Sequence, residues 1–181
     1  AERWPDGVEA WLRDVFLEAP RTREAGGLAL VALGGQGRRE LAPQSDLDLL
    51  LLFGGGRAPT EVAEALWYPI WDEGLKLGHA VRSVRDTLSL ASSDLETATA
   101  LLSARHICGD ESLTVELAER ARTNWRRRGR GWLDQLATSL DQRHREAGEV
   151  AFALEPDLKA GRGGLRDVHA LAWAVAAGAR L

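Results

Sequence analysis

The 181-residue sequence contains one cysteine, no methionine, one asparagine, two isoleucines and two lysines. A lone Cys108 excludes a disulfide framework and any multi-cysteine zinc centre. No apolar run approaches the roughly 18–20 residues that a membrane-spanning helix needs, and the first residues do not read as a secretory signal. Disorder is excluded as well, because 45% hydrophobic residues and seven Trp offer enough apolar surface to offset the entropy of ordering. A soluble, cytoplasmic domain without a membrane partner is expected. With Ala1 first and no Met, the sequence is expected to be an internal or trimmed piece of a longer protein.

The scarcity of lysine leaves arginine as nearly the whole basic complement: 21 of 23 basic side chains, against 27 acidic ones and a net charge of −4. That bias follows from a GC-rich coding sequence and weakens any argument from Arg abundance. The charge is unevenly spread. Residues 120–130 (RARTNWRRRGR) hold six Arg and no acid, leaving 17 basic against 27 acidic side chains elsewhere, a net of −10. Trp125 is the one aromatic interleaved there. On an acidic chain the segment reads as a solvated helix face or an interdomain contact, and nucleic acid is not favoured as a partner.

Periodicity predicts the elements. Asp6 and Glu9 resemble a capping box ahead of a helix carrying Val8, Trp11, Leu12, Val15 and Phe16, ended by Pro20. Leu28–Leu33 and Leu47–Phe53 read as buried strands. Gly34, Gly35 and Gly37 break the first into a loop, and Gly54–Gly56 stop the second. Pro59 and Thr60 open a helix that Pro69 should kink. Leu75–Val84 is a third strand, and Ser93 and Glu96 cap a helix running through Ile107 to Gly109. Beyond Asp110 the pattern is mostly helical, apart from a polar loop around Glu155–Gly164. On this reading Cys108 is a small apolar residue in a helix. The fold class is α+β: a small mixed sheet with flanking helices in residues 1–90, then a helical region over 91–181.

Chemistry concentrates in one stretch. Gly34-Gly35 is followed ten residues later by Asp46-Leu47-Asp48. Two carboxylates two apart in a strand share a face, about 6–7 Å apart along the chain. Such like charges at the end of a buried strand repel one another, and a divalent cation taking hard oxygen ligands, Mg²⁺ above all, removes that cost. The glycine turn lets backbone amides approach a triphosphate with no Cβ in the way. Neither a Walker lysine nor the third glycine of a dinucleotide fingerprint is present.

Gly34-Gly35-x10-Asp46-x-Asp48 resembles the signature of the DNA polymerase β-like nucleotidyltransferases. The longer GGQGRRELAPQSDLDLLLLF is similar to the N-terminal part of the bifunctional PII uridylyltransferase/uridylyl-removing family. Three further segments support it in order: residues 71–82, then Ala104-Arg105 to Gly109-Asp110, then Leu154–Lys159 with Gly163-Gly164-Leu165-Arg166-Asp167, so the resemblance covers residues 28–181. It implies transfer of a nucleoside monophosphate, UMP from UTP or AMP from ATP, to a tyrosine of the nitrogen-regulatory PII protein, with pyrophosphate leaving. Asp46 and Asp48 would hold catalytic Mg²⁺, Gly34, Gly35 and Ser45 would line the β- and γ-phosphates, and Arg38 would pair with phosphate oxygens. Gln36 and Arg39 depart from the Tyr and Gly expected there. The third carboxylate usual in the superfamily is not evident. Asp94 is better placed to stabilise a helix end, and His79 reads as structural. Lys159, Arg162 and Arg166 lie in a loop that could approach the triphosphate or be plainly solvated. A phosphohydrolase domain and glutamine-sensing domains would lie beyond Leu181, so removal of the nucleotide is not expected of this chain. The rival readings are a regulatory module that binds nucleotide without turnover and a nucleotidyltransferase acting on RNA or DNA.

Overall fold

A computed structural model describes residues 4–20, 27–42, 45–147 and 157–178. The chain divides into two compact units, Ala1–Ala121 and Arg122–Leu181.

The first unit is built on a four-stranded sheet in the order β3-β2-β1-β4, with β1 at Leu28–Ala32, β2 at Leu47–Phe53, β3 at Leu77–Ser83 and β4 at Arg105–Gly109. β1 runs antiparallel to both β2 and β4, and β2 runs parallel to β3. A parallel pair needs a crossover, and α3 (Thr60–Asp72) supplies it. The leucine-rich β2 is covered on both faces, which is why its apolar run is continuous rather than alternating. Leu47, Leu49 and Leu51 pack with Leu30, Ala32 and Ile107 under α1 (Trp4–Glu18) and α3. Leu50 and Leu52 pack with Ala29 and Val31 under α4 (Val84–Leu90), α5 (Leu95–Leu101) and the start of α6 (Glu111–Arg127).

Several expectations need correction. Arg105–Gly109 is a strand, so Ile107 and Cys108 belong to the sheet rather than to a helix. β4 is an edge strand whose pairing with β1 slips between Leu30 and Val31, and that irregularity blurs its alternation. Gly34–Gly37 forms a single helical turn, α2, instead of an open loop. α1 starts at Trp4, which puts Asp6 inside its first turn rather than at its cap. α5 is capped by Asp94, not Ser93: its carboxylate accepts from the Thr97 amide at 2.7 Å. β1 stops at Ala32 and β3 spans Leu77–Ser83. The short α4, with Ser83 as cap, is an additional element that the periodicity does not predict. α3 continues through Pro69, whose missing donor falls in the last turn.

In the second unit, α7 (Gly129–Ala147) and α8 (Leu165–Ala176) pack together, and Trp125 near the end of α6 stacks on Trp132 with ring centroids 5.3 Å apart. The Trp125 indole donates to the Trp173 carbonyl at 3.0 Å. Arg122, Arg126, Arg127 and Arg130 are exposed on the helix surface, while Arg128 sits 5.1 Å above the Trp132 ring. Among the described residues no helix is long and apolar enough to cross a membrane.

Candidate active site at the Gly34–Gly37 turn and Asp48

The site forms where β1 ends and β2 begins. Leu33 donates its amide to the Asp48 carbonyl at 2.8 Å, which brings the turn after β1 onto the second residue of β2. Asp48 is half-buried there, whereas Asp46 is exposed and immediately precedes the strand. The two carboxylates thus differ in surroundings: one fixed by the sheet, the other open to solvent.

Glycines shape the space around Asp48. Gly34 has φ +52°, and a Cβ there would run into Asp48 Oδ2. On the other side, Gly78 of β3 pairs in register with Asp48, and a Cβ at Gly78 would stand 2.7 Å from Oδ1. Both carboxylate oxygens therefore sit against glycine backbone, and a Cβ at either glycine would push the Asp48 carboxylate aside. Gly37 is also sterically required, since a Cβ would meet the carbonyls of Ser103 and Ala32. Gly35 is different: a Cβ there would meet nothing within 4 Å. The fold does not demand glycine at 35, and the surface over it is open.

The other residues singled out in the sequence divide. Ser45 closes its own turn, its Oγ accepting from the Ala42 amide at 3.3 Å. Arg38 pairs with Glu40, Nε to Oε2, at 2.7 Å. Arg39, where glycine is expected, is the one described non-glycine residue at positive φ (+61°). Gln36 is buried, and its Oε1 has no hydrogen-bond partner. His79 pairs with Leu49, so it lies on the opposite face of the sheet from Asp48, exposed and against the rings of Trp67 and Trp71 at centroid distances of 5.3 and 5.4 Å. The hydrogen bonds from Thr97 hold the Asp94 carboxyl below the usual carboxylate range, with the charge of Arg82 adding to them.

Among the described residues no three His, Cys, Asp or Glu side chains come together as a metal cluster. The donor set nevertheless fits Mg²⁺. That ion is commonly held by one or two carboxylates, with substrate phosphates and water completing its octahedron. The glycine-flanked Asp48 beside the open Asp46 is such a set.

Lys159, Arg162 and Arg166 are exposed in the second unit. Glu155 and Pro156 lie outside the described residues, as do Pro43 and Gln44 of the glycine–aspartate motif. Asp157 orders the segment by accepting from the amides of Lys159 and Ala160 at 2.8 and 2.9 Å. Asp167 gathers Arg143, His144 (3.0 Å) and the Gly163 amide (2.7 Å). Burial opposes its charge, but these donors outweigh burial and hold its carboxyl below the usual range. Sequence reasoning missed this knot, and it missed Gly78, although a glycine inside a strand signals a close approach.

The glycine turn and the two aspartates sit on a small four-stranded mixed sheet flanked by helices, an α+β arrangement. The comparisons supply the family. Residues 132–179 match the family model for GlnD PII-uridylyltransferase. Proteins named bifunctional uridylyltransferase/uridylyl-removing enzyme are 46% identical in Mycobacterium tuberculosis over 94% of this chain and 21% of that protein, and 46% identical in Streptomyces coelicolor over 91% and 20%. One from Bradyrhizobium is 40% identical over 81% of this chain and 16% of its own length. The chain belongs to the bifunctional uridylyltransferase/uridylyl-removing enzyme family. It spans about a fifth of the length of the curated relatives it matches. A toxin–antitoxin chain solved with AMP-PNP, at TM-score 0.43 and 9% identity over 74% of this chain and 96% of that one, is too distant to carry an argument.

Proposed function

We propose that this chain carries the nucleotidyl-transfer centre of a PII uridylyltransferase, moving UMP from UTP to a tyrosine hydroxyl of PII with release of pyrophosphate. The observation that carries the reading is the half-buried Asp48 carboxylate, flanked by Gly34 and Gly78, beside exposed Asp46 and the open surface over Gly35. Asp46 and Asp48 hold Mg²⁺. When bound, that ion neutralises charge developing on the phosphates and aligns the reacting groups. Gly34 and Gly35 present backbone to the β- and γ-phosphates with no side chain in the way. Ser45, at the exposed start of the segment, adds a hydroxyl donor. Arg38 exchanges Glu40 for a phosphate oxygen, a charge-assisted contact of the kind Arg favours. A bond forms between the tyrosine oxygen and the α-phosphorus as the bond from that phosphorus to the departing pyrophosphate breaks, and the hydroxyl proton is released to solvent.

The test is to incubate the protein with PII, Mg²⁺ and α-labelled UTP or ATP, measuring label in PII and pyrophosphate. Label from UTP with stoichiometric pyrophosphate is expected. Label from ATP alone would replace UMP by AMP. Nucleotide binding without pyrophosphate would overturn the reading in favour of a regulatory module.

A further inference from the structure

The segment Ala104–Asp110 plays no part in the proposed chemistry, yet its first strand residue reaches the turn that does. Arg105 pairs with Ala32 in the β1–β4 register, next to the end of β1 from which the glycine turn departs. Its guanidinium has three different partners. Nη1 meets Glu9 Oε2 of α1 at 2.6 Å, Nη2 donates to the Gln36 carbonyl at 3.0 Å, and Nε donates to the Gly37 carbonyl at 3.2 Å. Gln36 and Gly37 are the last two residues of α2, where helical carbonyls run out of intrahelical donors; the Gln36 carbonyl also accepts from the Arg39 amide at 3.2 Å, and Arg105 adds a second donor to it. A cation at that end also suits the helix dipole. Glu9 is itself held by Arg13 at 2.7 Å, so the anchor for Arg105 is fixed from both sides.

The opposite end of α2 is the working end, where Gly34 abuts Asp48; at the Arg105 end Gly37 is wedged against the carbonyls of Ser103 and Ala32. With Gly34 this close to a carboxylate oxygen, sliding α2 toward β2 is blocked. Sliding or rotating it away is opposed by the Arg105 bonds. A lysine cannot replace this arrangement, because one ammonium on a flexible stem cannot hold three acceptors in the fixed plane of a guanidinium fork.

We propose that Arg105 is a positioning residue: through Glu9 and the carbonyls of Gln36 and Gly37 it fixes α2 so that Gly34 and Gly35 stand in register with Asp48 for nucleotide transfer. This rests on the function proposed above. Arg105 touches no substrate in this scheme and acts only through the turn. Misplacement of a bound group by about 1 Å can cost about 100-fold in rate.

The experiment compares Arg105→Lys, Glu9→Gln and Asp94→Ala in the intact protein, below the unfolding temperature of each. Asp94 caps α5 away from the turn, so its variant controls for lost stability alone. Arg105→Lys is expected to lower kcat for transfer to PII about 100-fold, with KM for PII unchanged. Glu9→Gln, which leaves both carbonyl bonds intact, should lose less, and Asp94→Ala should keep the native kcat. Amide exchange is the readout independent of activity. The Arg38 and Glu40 amides donate to Gly34 and Gly35, and their exchange should quicken in Arg105→Lys and not in Asp94→Ala. A native kcat in Arg105→Lys, or an equal loss in Asp94→Ala, overturns the proposal. If the unaltered protein transfers no nucleotide, the functional reading fails by itself. Exchange then decides alone: unchanged protection at Arg38 and Glu40 overturns the positioning role, and faster exchange sustains it.

Discussion

Gly34 and Gly35 are adjacent and identical in sequence, and the structure assigns them different reasons for being glycine. At Gly34 a Cβ meets Asp48 and φ is +52°; at Gly35 neither constraint applies. Gly34→Ala should therefore cost about 1–2 kcal/mol in stability from backbone strain alone and displace the carboxylate. Gly35→Ala should leave stability equal or higher by up to about 1 kcal/mol, since it removes unfolded-state freedom at a compatible position. In that variant the nucleotide KM should still rise. Thermal unfolding and nucleotide titration separate the two, and a Gly35→Ala protein with native KM would mean that nothing binds over residue 35. Cys108 supports a second residue-level prediction. Burial pushes its thiol from 9.0 up to about 11, with small opposing contributions from Arg13 and Glu9. A folded value above the unfolded one means that its contribution is intact below about 9 and is lost as pH rises through about 11. Unfolding measured across that window should show falling stability, removed by Cys108→Ala. At neutral pH the thiol should react with alkylating reagents far more slowly than an unfolded cysteine.

At the level of elements, Asp94 separates helix capping from metal ligation. Its carboxylate is engaged by Thr97 at the start of α5, so Asp94→Ala should cost about 0.5–2 kcal/mol and leave the Mg²⁺ dependence of transfer unchanged. A shift in the Mg²⁺ requirement would instead make it a ligand. The glycine–aspartate stretch was legible because its periodicity, breakers and charges agree: the β2 span Leu47–Phe53 is the one the pattern predicts. β4 was not legible because it is a five-residue edge strand whose alternation the bulge opposite Leu30/Val31 disturbs; Ile107, five residues past Leu102, in fact falls off the helical spacing of Leu95, Ala98 and Leu102. α4 did carry a signal, Ser83-x-x-Asp86, with Ser83 Oγ accepting from the Asp86 amide at 3.1 Å. Of the site, the carboxylates and the turn are visible in one short stretch. Gly78 and Arg105 are not, because sheet register brings them in from 30 and 57 residues beyond Asp48.

At the scale of the molecule, the parts on which the proposed chemistry rests lie in the first unit: the sheet, the α2 turn, both aspartates and the Glu9–Arg105 pair. The second unit has its own organising centres in the Trp125–Trp132 stack and the Asp167 knot, and the family-model match falls within it. In the six-arginine segment Arg120 pairs with Glu116 and Arg128 lies over the Trp132 ring, while Arg122, Arg126, Arg127 and Arg130 are exposed. On the function proposed above, the two aspartates at the head of β2 make this chain a nucleotidyltransferase, and mass measurement of PII tests this. Native protein, Asp46→Asn and Asp48→Asn would each be incubated with PII, UTP and Mg²⁺, with circular dichroism establishing that each variant is folded. The native protein is predicted to add one UMP per modified PII subunit, abolished by chelation of Mg²⁺, and neither variant any detectable UMP. Native-level modification by both folded variants would contradict the claim.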